Sequence, residues 1–259
     1  MMDQIVEELY RLYDRFCTMP SPVLQTPSVK RFYDELVALL ATPLTDREVQ
    51  AIIARIPFKQ DLTHRHAMLH LMSEKKVAES YLSGDIEDLF ESTWFDKLLP
   101  DVLKAQAEQW KALGLDFSKD DKKIAMLGGG ALPQSQIHFS TYSGSPVTCI
   151  DRDEEVVSLL SGVLKKLNRE DLPVIRGSGD QMDYSAFDLV VVAAMVEGKS
   201  RVVQRIRETS QAKICIRNPA GLHQLMREPI SIHEVEAFGY RLMGQSRQGN
   251  SISMVFELR

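Results

Sequence analysis

KKIAMLGGGALPQSQIHFSTYSGSPVTCID, running from Lys122 to Asp151, decides how this chain folds. An apolar run, Ile124–Leu127, meets three consecutive glycines, Gly128, Gly129 and Gly130. A stretch of helical composition follows, then a second apolar run, Val147–Ile150, that ends in an acid. The pattern reads as strand, glycine turn, helix, strand, which is how a nucleotide-like cofactor is held at the edge of a parallel sheet. Glycine lets the backbone approach a ligand, and the helix start offers unpaired N–H groups. Asp151 lies about twenty residues beyond the glycines, where a carboxylate can accept both ribose hydroxyls. The string is GGGALP rather than GxGxxG, with Pro133 in place of a third glycine. A plain reading of Asp151 is a cap for a helix over Asp153–Leu167, but the glycines upstream favour the ribose role.

Beyond this unit, strands are expected at Lys123–Leu127, Val147–Ile150, Leu172–Ile175, Leu189–Ala194 and Lys213–Ile216. Helices are expected between them at Gln134–Tyr142, Glu154–Leu167 and Ser200–Thr209. The run LVVVAA (Leu189–Ala194) is continuously apolar, as a strand covered on both faces must be. A short helix (Ile232–Phe238) precedes two strands, Tyr240–Gly244 and Ser251–Leu258, turned at Gly249–Asn250. Five parallel strands and a terminal hairpin give an α/β fold with a doubly wound, Rossmann-like sheet. It is similar to the methyltransferase-type sheet of S-adenosylmethionine-dependent enzymes.

No strand signal precedes Ile124. Apolar positions recur at helical spacing in 1–19, Ser28–Ala41, Arg47–Ile56, Asp61–Leu82, Ile86–Phe95 and Pro100–Leu113, separated by proline or glycine signals. The expected organisation is a helical domain over 1–120 and a Rossmann-like domain over 121–259. The 259 residues are 44% hydrophobic and 26% charged, with a net charge of −5, which gives no support for a nucleic-acid partner. Cys17, Cys149 and Cys215 are far apart, and two of them fall in expected strands, so they read as thiols in a reducing cytoplasm. No apolar stretch is long enough for a membrane helix.

Further candidates have competing readings. Asp180, in RGSGDQMD, follows the third strand, where an acid accepts from an adenine amino group and Met182 supplies an apolar face. A Gly-Asp turn explains the same acid equally well. Arg217-Asn218-Pro219 follows the fifth strand. Asn218 suits a helix N-cap and Pro219 the first helical position, and Arg217 either grips a carboxylate or is a surface arginine. On the helix Asp61–Leu82, Ala67, Leu71, Ala78 and Leu82 share a face, with Glu74 at its margin beside Tyr81. A partly desolvated Glu74 is a better proton acceptor. Lys75 lies close by, however, and pattern alone favours an ion pair. His66 and His70 are one turn apart, but HExxH is absent and no metal is expected.

At GGGALPQSQI the chain resembles the nicotianamine synthases, whose loop reads GGGPLP or GSGPLP. The likeness continues through GDQMDYSAFDLVVVAAMVEGKSRVVQRI (Gly179–Ile206), similar to that family's AAL-x-E-x-K-x-R-V region. It extends to IRNPAGL (Ile216–Leu222) and the terminal GNSISMVFE. LMSEKKVAES (Leu71–Ser80) resembles the family's helix with a glutamate implicated in catalysis. The match is collinear over about residues 60–258, and the chain's size suits the bacterial opine-metallophore branch of staphylopine and pseudopaline type. The family's FYxYPxY segment corresponds to Ser92–Val102, which here reads STWFDKLLPDV, without tyrosine. That departure points away from nicotianamine itself and toward a different acceptor.

The resemblance implies transfer of the 3-amino-3-carboxypropyl arm of S-adenosylmethionine to an amine, with release of methylthioadenosine. In the bacterial branch the acceptor is the α-amino group of histidine. Carried over by position, Gly128, Gly130, Asp151 and Asp180 hold the nucleoside and Arg217 a carboxylate, with Glu74 the candidate catalytic base; the reading of the residues adds Gly129 and Met182 to the co-substrate site and Tyr81 to the substrate site. S-Adenosylmethionine is then a co-substrate and no metal is required. A downstream opine dehydrogenase is the implied partner, and the oligomeric state is open, a homodimer included. The competing readings are a small-molecule methyltransferase and a nucleoside-binding module without catalysis.

Overall fold

The computed structural model describes residues 1–19, 23–90, 99–115 and 122–259. β1 (Ile124–Leu127) and β4 (Leu189–Val192) are buried at every position, as the apolar runs require. β1 pairs in parallel with β2 (Val147–Asp151) on one side and β4 on the other, and β3 (Val174–Arg176) flanks β2. β5 (Lys213–Pro219) runs parallel to β4. β7 (Ser251–Leu258) lies antiparallel between β5 and β6 (Tyr240–Gln248). The strand order is therefore β3-β2-β1-β4-β5-β7-β6. This is the doubly wound α/β sheet expected from the sequence. Its order reverses at β1/β4, where such sheets open a crevice at the carboxyl ends of the strands.

α6 (Gln134–Ser143), α7 (Glu154–Lys166) and α8 (Lys199–Thr209) make the crossovers. One sheet face packs on α8 and α9 (Ile232–Ala237) through Val202, Val203, Ile206 and Val235. The other packs on α5 (Leu99–Ala112), whose Trp110 stacks on Phe139 with ring centroids 4.6 Å apart.

The amino-terminal helices α1 (Met2–Cys17), α2 (Pro27–Leu40) and α3 (Asp46–Ile53) share a core with Leu62 and Leu69 of α4 (Lys59–Ser83). Leu222, Leu225 and Met226, in and just after a 3-10 turn at Gly221–Leu225, complete that core. Thr63 Oγ1 also donates to Leu225 O at 3.0 Å. The second half of α4 packs on α7, with Val77, Ala78 and Tyr81 against Val163. α4 thus reaches from the helical layer to the sheet, and this carries Glu74 to the strand tips. Among the described residues, no helix is long and apolar enough to cross a membrane.

The elements differ from the expected ones in places with clear causes. Pro27 takes the first position of α2, so Thr26 rather than Ser28 precedes the helix. Leu172 is buried in the turn before β3 and Pro173 cannot donate to a ladder, so the strand starts later than expected. Residues 86–90 form turns rather than a helix, and the rest of the expected Ile86–Phe95 helix lies outside the described residues. β5 does not stop before a helix: β7 supplies ladder partners, pairing Asn218 with Ile252 and Pro219 with Ser251. The Asn218 side chain clamps Ile230 instead, with Nδ2 donating to its carbonyl and Oδ1 accepting its N–H, both at 2.9 Å.

The loop after β4 is tied down by Lys199. Its buried ammonium donates to Ala194 O at 3.0 Å, Val196 O at 2.9 Å and Glu228 O at 2.7 Å. Burial pushes its pKa down to about 8. Lys199→Met strands these carbonyls, and a buried polar group left unsatisfied costs about 1–3 kcal/mol. We expect a loss of about 3 kcal/mol in urea unfolding. An unchanged midpoint would show that water replaces the ammonium.

Candidate active site

The glycine turn is shaped by what it touches. Gly128 and Gly130 have φ of +70° and +71°, a region that side chains rarely enter. A Cβ at Gly128 would stand 2.7 Å from Val196 Cγ2. At Gly129 it would collide with Cys149 Sγ, and at Gly130 with Glu74 Oε2. Three glycines are therefore needed because strand β2, the loop after β4 and helix α4 all press on this turn.

Two carboxylates hold its far end. Gly130 N–H donates to Asp151 Oδ2 at 3.3 Å, and Ala131 N–H to Glu74 Oε2 at 3.2 Å. Asp151 Oδ1 also accepts from Asp153 N–H at 3.1 Å. Desolvation raises the Asp151 pKa above the usual aspartate value, against the hydrogen bonds from Asp153 and Gly130. The cap of α7 is Asp153, which accepts from Glu155 and Val156 N–H, so Asp151 is left at the strand tip. Lys75 turns to α7 and pairs with Asp153 at 2.9 Å and Glu155 at 2.5 Å. The ion pair with Glu74 suggested by the helical pattern does not form, because those acids lie on the helix against which α4 packs.

Two cavities meet at these groups. The outer one, about 350 Å³, is lined by Gly128, Gly130, Asp151, Gly177, Asp180 and Val196, among others. That volume lies in the range of small-molecule sites, about 300–1,000 Å³. The inner one, about 110 Å³, is walled by Gln134, Ser135, Met126, Arg217 and Arg227. His70, Glu74, Gly128 and Met195 line both.

Asp180 stands across the outer cavity. It accepts from Ser178 Oγ at 2.6 Å, which holds its pKa low, and lies 3.6 Å from Arg201 Nε. Arg217 is buried, not on the surface: Nε donates to Gln106 Oε1 at 3.0 Å and Nη1 to Ser135 Oγ at 3.1 Å. Its guanidinium carbon lies 5.2 Å from the Phe139 ring centroid.

Two candidates fall elsewhere. Tyr81 is buried among Val77, Leu89, Leu132 and Val163, with Lys166 Nζ 4.4 Å from its ring centroid, and reaches neither cavity. It lies two turns beyond Glu74, where α4 has already turned its apolar face onto α7. Met182 packs its sulfur over Gly177 and lines neither cavity. Leu82 is 37% exposed, so the buried stripe of α4 runs instead through His66, His70, Ser73, Val77 and Tyr81.

His66 and His70 stack with centroids 4.5 Å apart, and His70 Nε2 pairs with Tyr33 OH at 2.9 Å. Burial pushes His70 down to about 3 and His66 well below its ordinary value, so both are neutral at pH 7. Among the described residues no group of three or more His, Cys, Asp or Glu is arranged to hold a metal ion. Sequence reasoning missed His70 as a cavity residue, and it missed Arg227 and Ser135. The His66/His70 pair was visible as a spacing, but Arg227 in LMREP carries no local signal.

No protein-family model matches the chain. It is similar to the L-histidine 2-aminobutanoyltransferase of Pseudomonas aeruginosa strain UCBPP-PA14, with 25% identity over 150 residues, 55% of this chain and 54% of that protein. The protein of the same name from P. aeruginosa strain PAO1 is 24% identical over 157 residues, 58% of this chain and 56% of that one. The chain thus spans about half the length of the curated relatives it matches. A Glu-to-Gln mutant of MtNAS in complex with S-adenosylmethionine superposes with a TM-score of 0.80 at 19% identity, over 98% of this chain and 97% of that one. MtNAS in complex with MTA and tNA superposes with a TM-score of 0.79 at 20% identity, over 100% and 97%. MtNAS is a nicotianamine synthase, so the fold expected from the sequence resemblance is met along the whole chain.

Proposed function

We propose that this protein moves the 3-amino-3-carboxypropyl group of S-adenosylmethionine onto the α-amino group of histidine, releasing methylthioadenosine, as a step in making an opine metallophore. The observation that carries this reading is a carboxylate, Glu74, at the junction of two cavities, one with the features of a nucleoside site and the other walled by arginines. The names of the partial-length relatives support histidine as acceptor, and the MtNAS complexes support S-adenosylmethionine as donor.

The residues present fit the donor. The turn Gly128–Gly130 leaves no room for a Cβ, so its backbone alone can face a ligand. On this reading the half-buried Asp151 carboxylate at the tip of β2 accepts from a ribose diol, and Asp180, farther along the same cavity, from an adenine amino group. When bound, the sulfonium makes each attached carbon electrophilic, and breaking one carbon–sulfur bond returns its electron pair to sulfur.

Which carbon reacts is then a matter of orientation, and the protein sets it by where the acceptor nitrogen is held. An ammonium is no nucleophile, so one proton must leave before the carbon–nitrogen bond forms. Glu74 receives that proton: its carboxylate is half-buried, fixed by Ala131 N–H and open to both cavities. Arg217 keeps Ser135 and Gln106 in place behind the acceptor. The test is a crystal structure with S-adenosylmethionine. The aminocarboxypropyl arm should point to the inner cavity beside Glu74, with the ribose on Asp151. A methyl group aimed there, with the arm held outside, would favour methyl transfer.

A further inference from the structure

The two guanidiniums of the inner cavity differ in how they are satisfied. Arg217 bonds Gln106 through Nε and Ser135 through Nη1 and lies over the Phe139 ring, with only its buried Nη2 outside these hydrogen bonds. Arg227, two residues past the 3-10 turn, makes no ion pair or side-chain hydrogen bond among the described residues, and its Nε is shut off from solvent without a partner.

Among the described residues no carboxylate is bonded to it. Its titratable neighbours include His66, His70, His223 and Lys199, whose pKa values are lowered by burial and further by the Arg227 charge itself. Both ring nitrogens of His66, and Nδ1 of His223, are likewise buried without a partner. Glu228, next in the chain, is spent elsewhere: its carboxylate takes the Gly198 N–H at 2.7 Å and its carbonyl takes Lys199 Nζ at 2.7 Å. Glu74 is the one acid among the described residues of the cavity wall.

A guanidinium partly withdrawn from water with no counter-ion is unfavourable until an anion arrives. Its planar fork matches a carboxylate through two parallel hydrogen bonds. We infer that Arg227 anchors the carboxylate of an amino acid in the inner cavity. An α-amino acid has one carbon between its carboxylate and its nitrogen. In a space this small, a carboxylate on Arg227 therefore keeps that nitrogen within reach of Glu74. The inference rests on the aminocarboxypropyl reading for the reaction, but not for the anion. The carboxylate belongs either to the acceptor or to the methionine tail of the donor.

Calorimetry on the full chain separates these cases, with S-adenosylmethionine, methylthioadenosine, and histidine added in the presence of methylthioadenosine as probes. Arg227→Met should weaken one of the two carboxylate-bearing ligands at least tenfold and leave methylthioadenosine, which has no carboxylate, unchanged. Weaker histidine assigns the acceptor, and weaker S-adenosylmethionine assigns the tail. Arg227→Lys, which keeps the charge and loses the fork, should recover part of the loss and also serves if the methionine variant does not fold. Unchanged affinity for both ligands, equal weakening of methylthioadenosine, or no amino-acid binding by the unaltered protein would overturn the inference. If neither nucleoside binds the unaltered protein, the functional reading fails. Arg227 is then judged on histidine titrated alone.

Discussion

Glu74→Gln is expected to slow methylthioadenosine release by about 10²–10⁴-fold, the usual contribution of a positioned general base, while the affinity for S-adenosylmethionine stays within about twofold. The amide has nearly the shape of the carboxylate, and its oxygen still accepts the Ala131 N–H that fixes the side chain over the glycine turn. What the amide cannot do is take a proton from an ammonium. Single-turnover rates and calorimetry on the same preparation separate the two effects. If binding fell as steeply as turnover, Glu74 would be a structural support of the turn and another group would have to receive the proton.

The second large effect concerns Asp151. On the proposed reading, replacing it with Asn removes two charge-assisted hydrogen bonds to a ribose diol, each about 1.5–3 kcal/mol. The dissociation constant for S-adenosylmethionine should rise about 100-fold, equivalent to roughly 2.8 kcal/mol. The raised pKa adds a pH signature, and its sign can be worked out. The folded-state pKa lies above the unfolded one. The ionised group therefore penalises the unliganded fold at pH above the folded value, and protonation on acidification relieves that penalty. Binding behaves in the opposite sense: only the carboxylate accepts from both hydroxyls, so affinity falls as pH drops through the raised pKa. Asp151→Asn should flatten this acid limb. A limb that persists unchanged in the variant would assign it to another group.

The sheet was legible because its strands announce themselves locally. The runs at Ile124–Leu127 and Leu189–Val192 are apolar at every position, and burial on two faces demands that. The Gly128–Asp151 spacing likewise follows from one strand-turn-helix-strand unit, so one end of the outer cavity could be read from thirty adjacent residues. Arg217-Asn218-Pro219 misled because Asn and Pro are helix-start signals, whereas the ladder partner that keeps β5 extended is β7, more than thirty residues later in the chain. Lys75 and Tyr81 misled for a related reason. A helical wheel shows which residues share a face, but not that α7 would cover that face and supply two acids. The inner cavity was beyond reach altogether. It exists because the 3-10 turn at Gly221–Leu225 docks on α4, bringing Arg227 beside His70 from over 150 positions away.

The Glu74 prediction and the proposed reaction presuppose that it is the aminocarboxypropyl arm, not the methyl group, that leaves the sulfonium. Incubating the protein with S-adenosylmethionine and histidine and resolving the nucleoside product by chromatography and mass spectrometry tests this most directly. The account predicts methylthioadenosine, formed in step with a histidine that has gained one aminocarboxypropyl group. S-Adenosylhomocysteine alongside a methylated amine would contradict it.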